Sequence, residues 1–136
     1  IKATNNAYFI GDSMTLTGNV GDIKAATAYF IGNSMTLTGD VGDIKATTIA
    51  NFNGNSMELT YTTITWTKIP TNLIYLDLAT GHLTTEEVSQ MLIDMDASGI
   101  TGTATLDFRG SNGAPNAAGV TAADNLRAKG YTVLTN

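Results

Sequence analysis

Asp77, Asp107 and Arg109 are the residues of this sequence whose types and spacing could do chemistry. Each aspartate sits inside an apolar triplet, Leu76-Asp77-Leu78 and Leu106-Asp107-Phe108. On neighbouring strands two such carboxylates would stand about 4.8 Å apart. That approaches the roughly 5–5.5 Å between the two carboxyl groups of a retaining glycosidase. An open strand face, however, has no pocket to raise a carboxyl pKa or to exclude water. The expected role is an exposed acidic patch partly neutralised by Arg109, and the chain is read as non-enzymatic.

The other reactive types point to structure. His82 has no second His and no Cys with which to build a metal site, so it is expected to be solvated. Trp66 could stack on a sugar, but its alternation with Ile64 fits a partly buried wedge. Gly18-Asn19-Val20-Gly21-Asp22 and Gly39-Asp40-Val41-Gly42-Asp43 are rich in Gly and acid. They lack the nine-residue period and Gly-Gly start of calcium-binding nonapeptides, and are read as turns. Asp22, Lys24, Asp43 and Lys45 occupy equivalent corners, where diagonal contacts between unlike charges would relieve like-charge stacking. No cofactor and no metal are implied.

The elements that must position these residues come from an internal repeat. Ala7-Tyr8-Phe9-Ile10-Gly11-Asp12-Ser13-Met14-Thr15-Leu16-Thr17-Gly18 is nearly copied at Ala28–Gly39 and again, more loosely, at Ala50–Thr60. Phe9, Phe30 and Phe52 recur at steps of 21 and 22 residues, a period typical of stacked repeats that cover one another's apolar faces. Apolar residues two apart mark strands. The third copy replaces Tyr29 and Ile31 by Asn51 and Asn53 but keeps Ala50, Phe52, Met57 and Leu59. Asn is tolerated facing water and costly in a core, so Ala, Phe, Met and Leu are expected inside, with the Tyr and Ile positions outside.

The frame continues through Leu76-Asp77-Leu78, Leu106-Asp107-Phe108 and Tyr131-Thr132-Val133. It predicts a single inward file of Phe9, Phe30, Phe52, Leu78, Phe108 and Val133, with core steps of 21, 22, 26, 30 and 25 residues. One outward column reads Tyr8, Tyr29, Asn51, Asp77, Asp107, Thr132, and the next Ile10, Ile31, Asn53, Ala79, Arg109, Leu134. At the turn after each strand, Asp12, Asn33, Asn55, Gly81, Ser111 and Asn136 are expected in one structural position, where the polar ones would satisfy backbone groups.

Helices enter as the repeats lengthen. Thr84 with Glu87 has the capping-box spacing, and Val88, Met91, Leu92 and Met95 form one apolar face behind it. A shorter helix is expected from about Thr121 to Lys129, after a loop over Gly110–Asn116.

From Pro70 onward the chain resembles the C-terminal part of bacterial and bacteriophage leucine-rich repeat proteins. The residues that carry the likeness are Leu73, Leu76, Leu78 and Leu83, then the capped helix, Leu106-Asp107-Phe108-Arg109-Gly110-Ser111-Asn112 and the closing Leu126–Val133. The expected fold is thus an α/β solenoid, with a parallel sheet on one face and two short helices near its C-terminal cap. Residues 1–69 are degenerate repeats, and 70–136 are leucine-rich repeats and cap, continuous with them. The resemblance implies an extracellular, cell-surface or virion protein used for recognition or display, and it carries over no catalytic residue.

Bulk properties narrow the partners. A net charge of −5 with seven Lys and Arg gives no basic stripe for nucleic acid. No apolar stretch approaches the roughly 20 residues of a membrane span. With no cysteine there are no disulfides. A protein or a surface glycan is the expected partner, bound through Tyr8, Ile10, Tyr29, Ile31 and Asn51, with Asp77, Asp107 and Arg109 on the same face. Ile1-Lys2-Ala3 recurs as Ile23-Lys24-Ala25 and Ile44-Lys45-Ala46, so the chain is read as the end of a longer one. Residues 1–22 are then expected to be covered by further repeats or by a second copy, because bare strand edges template pairing.

Overall fold

A computed structural model describes residues 5–11, 16–32, 35–43, 48–54, 57–62, 74–99 and 102–136. The protein is an α/β fold with two parallel sheets and two helices. Six strands form the larger sheet: β1 (Asn6–Ile10), β3 (Thr27–Gly32), β5 (Ile49–Gly54), β7 (Tyr75–Asp77), β8 (Thr105–Asp107) and β9 (Thr132–Leu134), ordered as in the chain. The smaller sheet is β2 (Leu16–Asn19), β4 (Met35–Asp40) and β6 (Glu58–Thr60). Each of the first three repeats therefore gives one strand to each sheet. Between them the chain turns through short 3-10 segments at Val20–Asp22 and Val41–Asp43, whose Val20 and Val41 are fully buried.

Pairing joins identical repeat positions, Phe9 to Phe30 and Phe30 to Phe52. Their rings stack at centroid distances of 5.1 and 5.5 Å. The alternation predicted from the sequence is present in β3, where Ala28 and Phe30 are buried while Tyr29 and Ile31 are half-buried. After β5 the register continues through Asn51–Asp77 and Asp77–Asp107, and Phe52, Leu78 and Phe108 are all fully buried.

The last strand departs from the expected frame. Val133 pairs with Leu106 and Leu134 with Asp107, while Thr132 lies opposite Thr105. Val133 therefore leaves the Phe108 file, and Leu134, not Thr132, ends the Asp107 column. The chain is held in this register at its start by the Thr132 amide, which donates to the Ala104 carbonyl, and at its end by two further contacts. The Phe108 amide donates to the Leu134 carbonyl, and Arg127 donates through Nε and Nη2 to the Val133 carbonyl. A slip of two residues keeps every side chain on its own face, so alternation cannot detect it.

Helix α1 (Thr85–Ala97) begins with the predicted capping box and buries Val88, Met91, Leu92 and Met95. Helix α2 runs from Ala117 to Ala128, starting a turn earlier than expected. Asn116 caps it, its Oδ1 accepting from the amides of Ala118 and Gly119. Gly119 reads locally as a breaker, yet here it permits close helix packing: a Cβ would lie 2.8 Å from Ser89 Cα.

The turn position is filled by a different residue than expected. Ser111 is exposed, and Asn112 is buried in the predicted role. Asn112 Oδ1 accepts from the Leu83 amide, while its Nδ2 donates to the carbonyls of Leu78 and Phe108. It fits because Gly81 leaves room, a Cβ there lying 3.2 Å from Asn112 Oδ1. The extra residue is taken up at Gly110, whose φ of 77° suits glycine. Asn136 performs the expected task, accepting from the Gly110 amide and donating to the Asn112 carbonyl. Asp12, Asn33 and Asn55 lie outside the described residues, as do Met14, Lys45, Trp66 and Leu73.

Candidate functional site

The outward face of the large sheet carries the predicted site residues. The register sets Tyr8, Tyr29, Asn51, Asp77 and Asp107 side by side, one per strand. Ile10 and Ile31 form the start of the adjacent column. These residues are brought together as one row, but their exposure differs sharply along it. Tyr8 and Ile10 are 57% and 60% exposed, whereas Asn51, Asp77 and Asp107 are only 8%, 6% and 5% exposed.

Asn51 is thus a correction to the sequence reading: it occupies the outward face yet is buried, and its Oδ1 has no hydrogen-bond partner. By register it stands between Tyr29 and Asp77, whose side chains can exclude water from a short amide set between them. The acidic pair is corrected too, since it is buried and not an exposed patch. Local hydrogen bonds explain how each carboxylate is accommodated. Asp107 accepts from Arg109 Nε at 2.9 Å, from Nη2 at 2.7 Å and from the Arg109 amide at 3.1 Å. This fork holds the Asp107 carboxyl below the usual carboxylate range, against the opposing effect of burial.

Asp77 has the same backbone turn, its Oδ1 accepting from the Ala79 amide at 3.0 Å. Its other oxygen accepts from the Tyr75 hydroxyl at 3.3 Å. Ala79 supplies no cation. Burial therefore raises the Asp77 carboxyl above its ordinary value, and the nearby Asp107 charge pushes the same way. Burial and then the Asp77 charge also raise the Tyr75 phenol.

At the N-terminal end of the row, the Tyr8 and Tyr29 rings stack at 5.3 Å and 12°. Each covers one face of the other, which leaves the outer face of Tyr8 open. Parallel pairing uses the Asn5 carbonyl and the Gly11 amide of β1 toward β3. The alternation of a parallel ladder turns the N–H and C=O groups of Asn6, Tyr8 and Ile10 toward the other edge. Among the described residues no strand pairs with that edge.

The remaining candidates lie elsewhere. His82 is an exposed residue, but its Nδ1 sits 2.6 Å from the Met57 carbonyl and its φ is 56°. It anchors a turn. A cavity of about 400 Å³ is lined by Asn19, Gly21, Asp22 and Asp43, at the corner between the 3-10 segments and away from the outward row. Asn19 Oδ1 accepts there from the Gly21 amide. Among the described residues no group of three His, Cys, Asp or Glu is placed to hold a metal, and no helix is long and apolar enough to cross a membrane. No protein-family model, curated protein or solved structure matches the chain.

Proposed function

We propose that the chain is a short solenoid similar to leucine-rich repeat proteins and acts as a non-enzymatic recognition or display module. An extracellular, cell-surface or virion setting accords with that reading. The contact surface is the N-terminal end of the outward row, Tyr8 and Ile10, backed by Tyr29 and Ile31. The supporting observation is the exposure gradient: large apolar groups are bare at β1, half-buried at β3, and the row is buried at Asn51, Asp77 and Asp107. Open backbone groups along the same edge suit an extended peptide, which gains main-chain hydrogen bonds by adding to a sheet. A protein partner is favoured over a glycan because the two tyrosine rings cover each other, leaving one ring face for a sugar.

A catalytic role for Asp77 and Asp107 is disfavoured, since Arg109 occupies both Asp107 oxygens. The test is selection of a displayed heptapeptide library on the wild-type chain, with Tyr8→Ala and Tyr29→Ala as counter-targets. Selected peptides should bind the variants at least about tenfold more weakly, as expected for aromatic anchors. Equal binding to all three proteins contradicts the proposal.

A second reading has its own observation. Phe9 is only partly buried although it stacks on the core ring of Phe30, so a second copy pairing at β1 would cover it. A structural assembly unit of this kind sediments with a weight that rises with concentration, and Ile10→Lys should abolish the rise.

A further inference from the structure

We propose that Asn51 and Asp77 together form a receptor for a guanidinium or ammonium group carried by the docked partner. The inference rests on the recognition reading above and names the chemistry of the residue recognised. Asn51 is more than nine-tenths buried and its Oδ1 lacks a donor, a rare state for an interior amide oxygen. Its neighbour across the sheet is Asp77, a buried carboxyl bound by one amide and one phenol but by no cation.

The next strand shows how the same problem is solved within the chain. Asp107 has the same turn, and the residue two places on is Arg109, which folds back onto the carboxylate. Two places after Asp77 stands Ala79. The matching amide bonds, Ala79 to Asp77 and Arg109 to Asp107, place the two backbones alike. A methyl group thus occupies the position from which an arginine would reach. With only a methyl group at Ala79, no side chain from that position covers Asp77, so a partner's cation takes the place of the missing arginine and Asn51 supplies an additional acceptor. Tyr29, next to Asn51 in the row, adds an aromatic ring of the kind that attracts cations. Arg109 spends its Nε and Nη2 on Asp107 and makes no hydrogen bond to Asp77. The net charge of −5 favours approach of a basic segment.

The test is an NMR titration of the whole chain with N-acetyl-arginine amide, using the citrulline amide as the uncharged control. The arginine compound should give saturable shifts of the Asn51 side-chain amide and the Asp77 carboxyl, leaving the Asp107 carboxyl unmoved. Ala79→Arg, which supplies the guanidinium internally, should weaken this binding at least about tenfold, as should Asp77→Asn. Absence of saturable shifts, equal shifts from citrulline, or undiminished binding in a folded Ala79→Arg protein overturns the proposal. Failure here alongside peptides that depend on Tyr29 removes the cation receptor alone. Saturable arginine shifts in a chain that selects no such peptide support the receptor and remove the recognition reading.

Discussion

The two halves of the molecule share one sheet but cover its inner face differently. In the first half, the smaller sheet lies opposite and Phe9, Phe30 and Phe52 pile up between the strands. In the second, α1 and α2 take that place, and polar side chains tie the turns together. The short repeats obtain order from repetition of one large side chain. The longer ones need individual anchors: the Thr84–Glu87 capping box, Asn112, and Lys129 bound to Asp96. On the outward row, the two most exposed apolar side chains, Tyr8 and Ile10, both lie on β1.

Phe30→Ala offers the strongest challenge to that contrast. Removing the middle ring should cost about 3–5 kcal/mol, as for other buried aromatics, and should be read from the midpoint of urea unfolding. Phe9→Ala, at the open end, should cost only about 1–2 kcal/mol because part of its surface is already wet. Equal losses would mean that β1 is covered as well as β3.

Asn112→Ala probes the opposite half. It strands the Leu83 amide in the interior and removes the Asn112 donor from the Leu78 and Phe108 carbonyls, at a cost on the order of 3 kcal/mol. Ser111→Ala, one residue away and exposed, should change the midpoint by less than about 0.5 kcal/mol.

The smallest effects are those of pH, and they sharpen the contrast between Asp107 and Asp77. Asp107 is held below its ordinary value by Arg109, so its stabilising contribution is present above about pH 4 and fades as pH falls through the depressed value. Arg109→Ala should therefore lower the urea midpoint at pH 7, with the gap to wild type closing in acid. Asp77 is raised by burial, so its ionisation is unfavourable to the fold and its cost appears as pH rises above about 4. Asp77→Asn should gain on wild type between pH 4 and pH 7. Identical pH profiles for the two variants would contradict the distinction.

Much of this was legible in the sequence because the repeat fixes which residues lie opposite one another. The Phe9–Phe30–Phe52 pairing, the continuation through Asp77 to Asp107 and the cap of α1 all follow from spacing. What was not legible has a physical cause in each case. Val133 slipped by two residues, a change to which alternation is blind. Asn112 replaced Ser111 because Gly110 could absorb an added residue in a left-handed turn. The burial of Asn51, Asp77 and Asp107 depends on neighbouring strands brought from elsewhere in the chain, and residue type alone gave the opposite expectation.

The central claim is that β1 and its outward side chains receive the partner. Amide hydrogen exchange of the free chain and of the chain with a selected peptide tests it directly. Protection gained at Asn6, Tyr8 and Ile10, with α1 and α2 unchanged, is the predicted result. Protection gained on the helices with the β1 amides unaltered would contradict it.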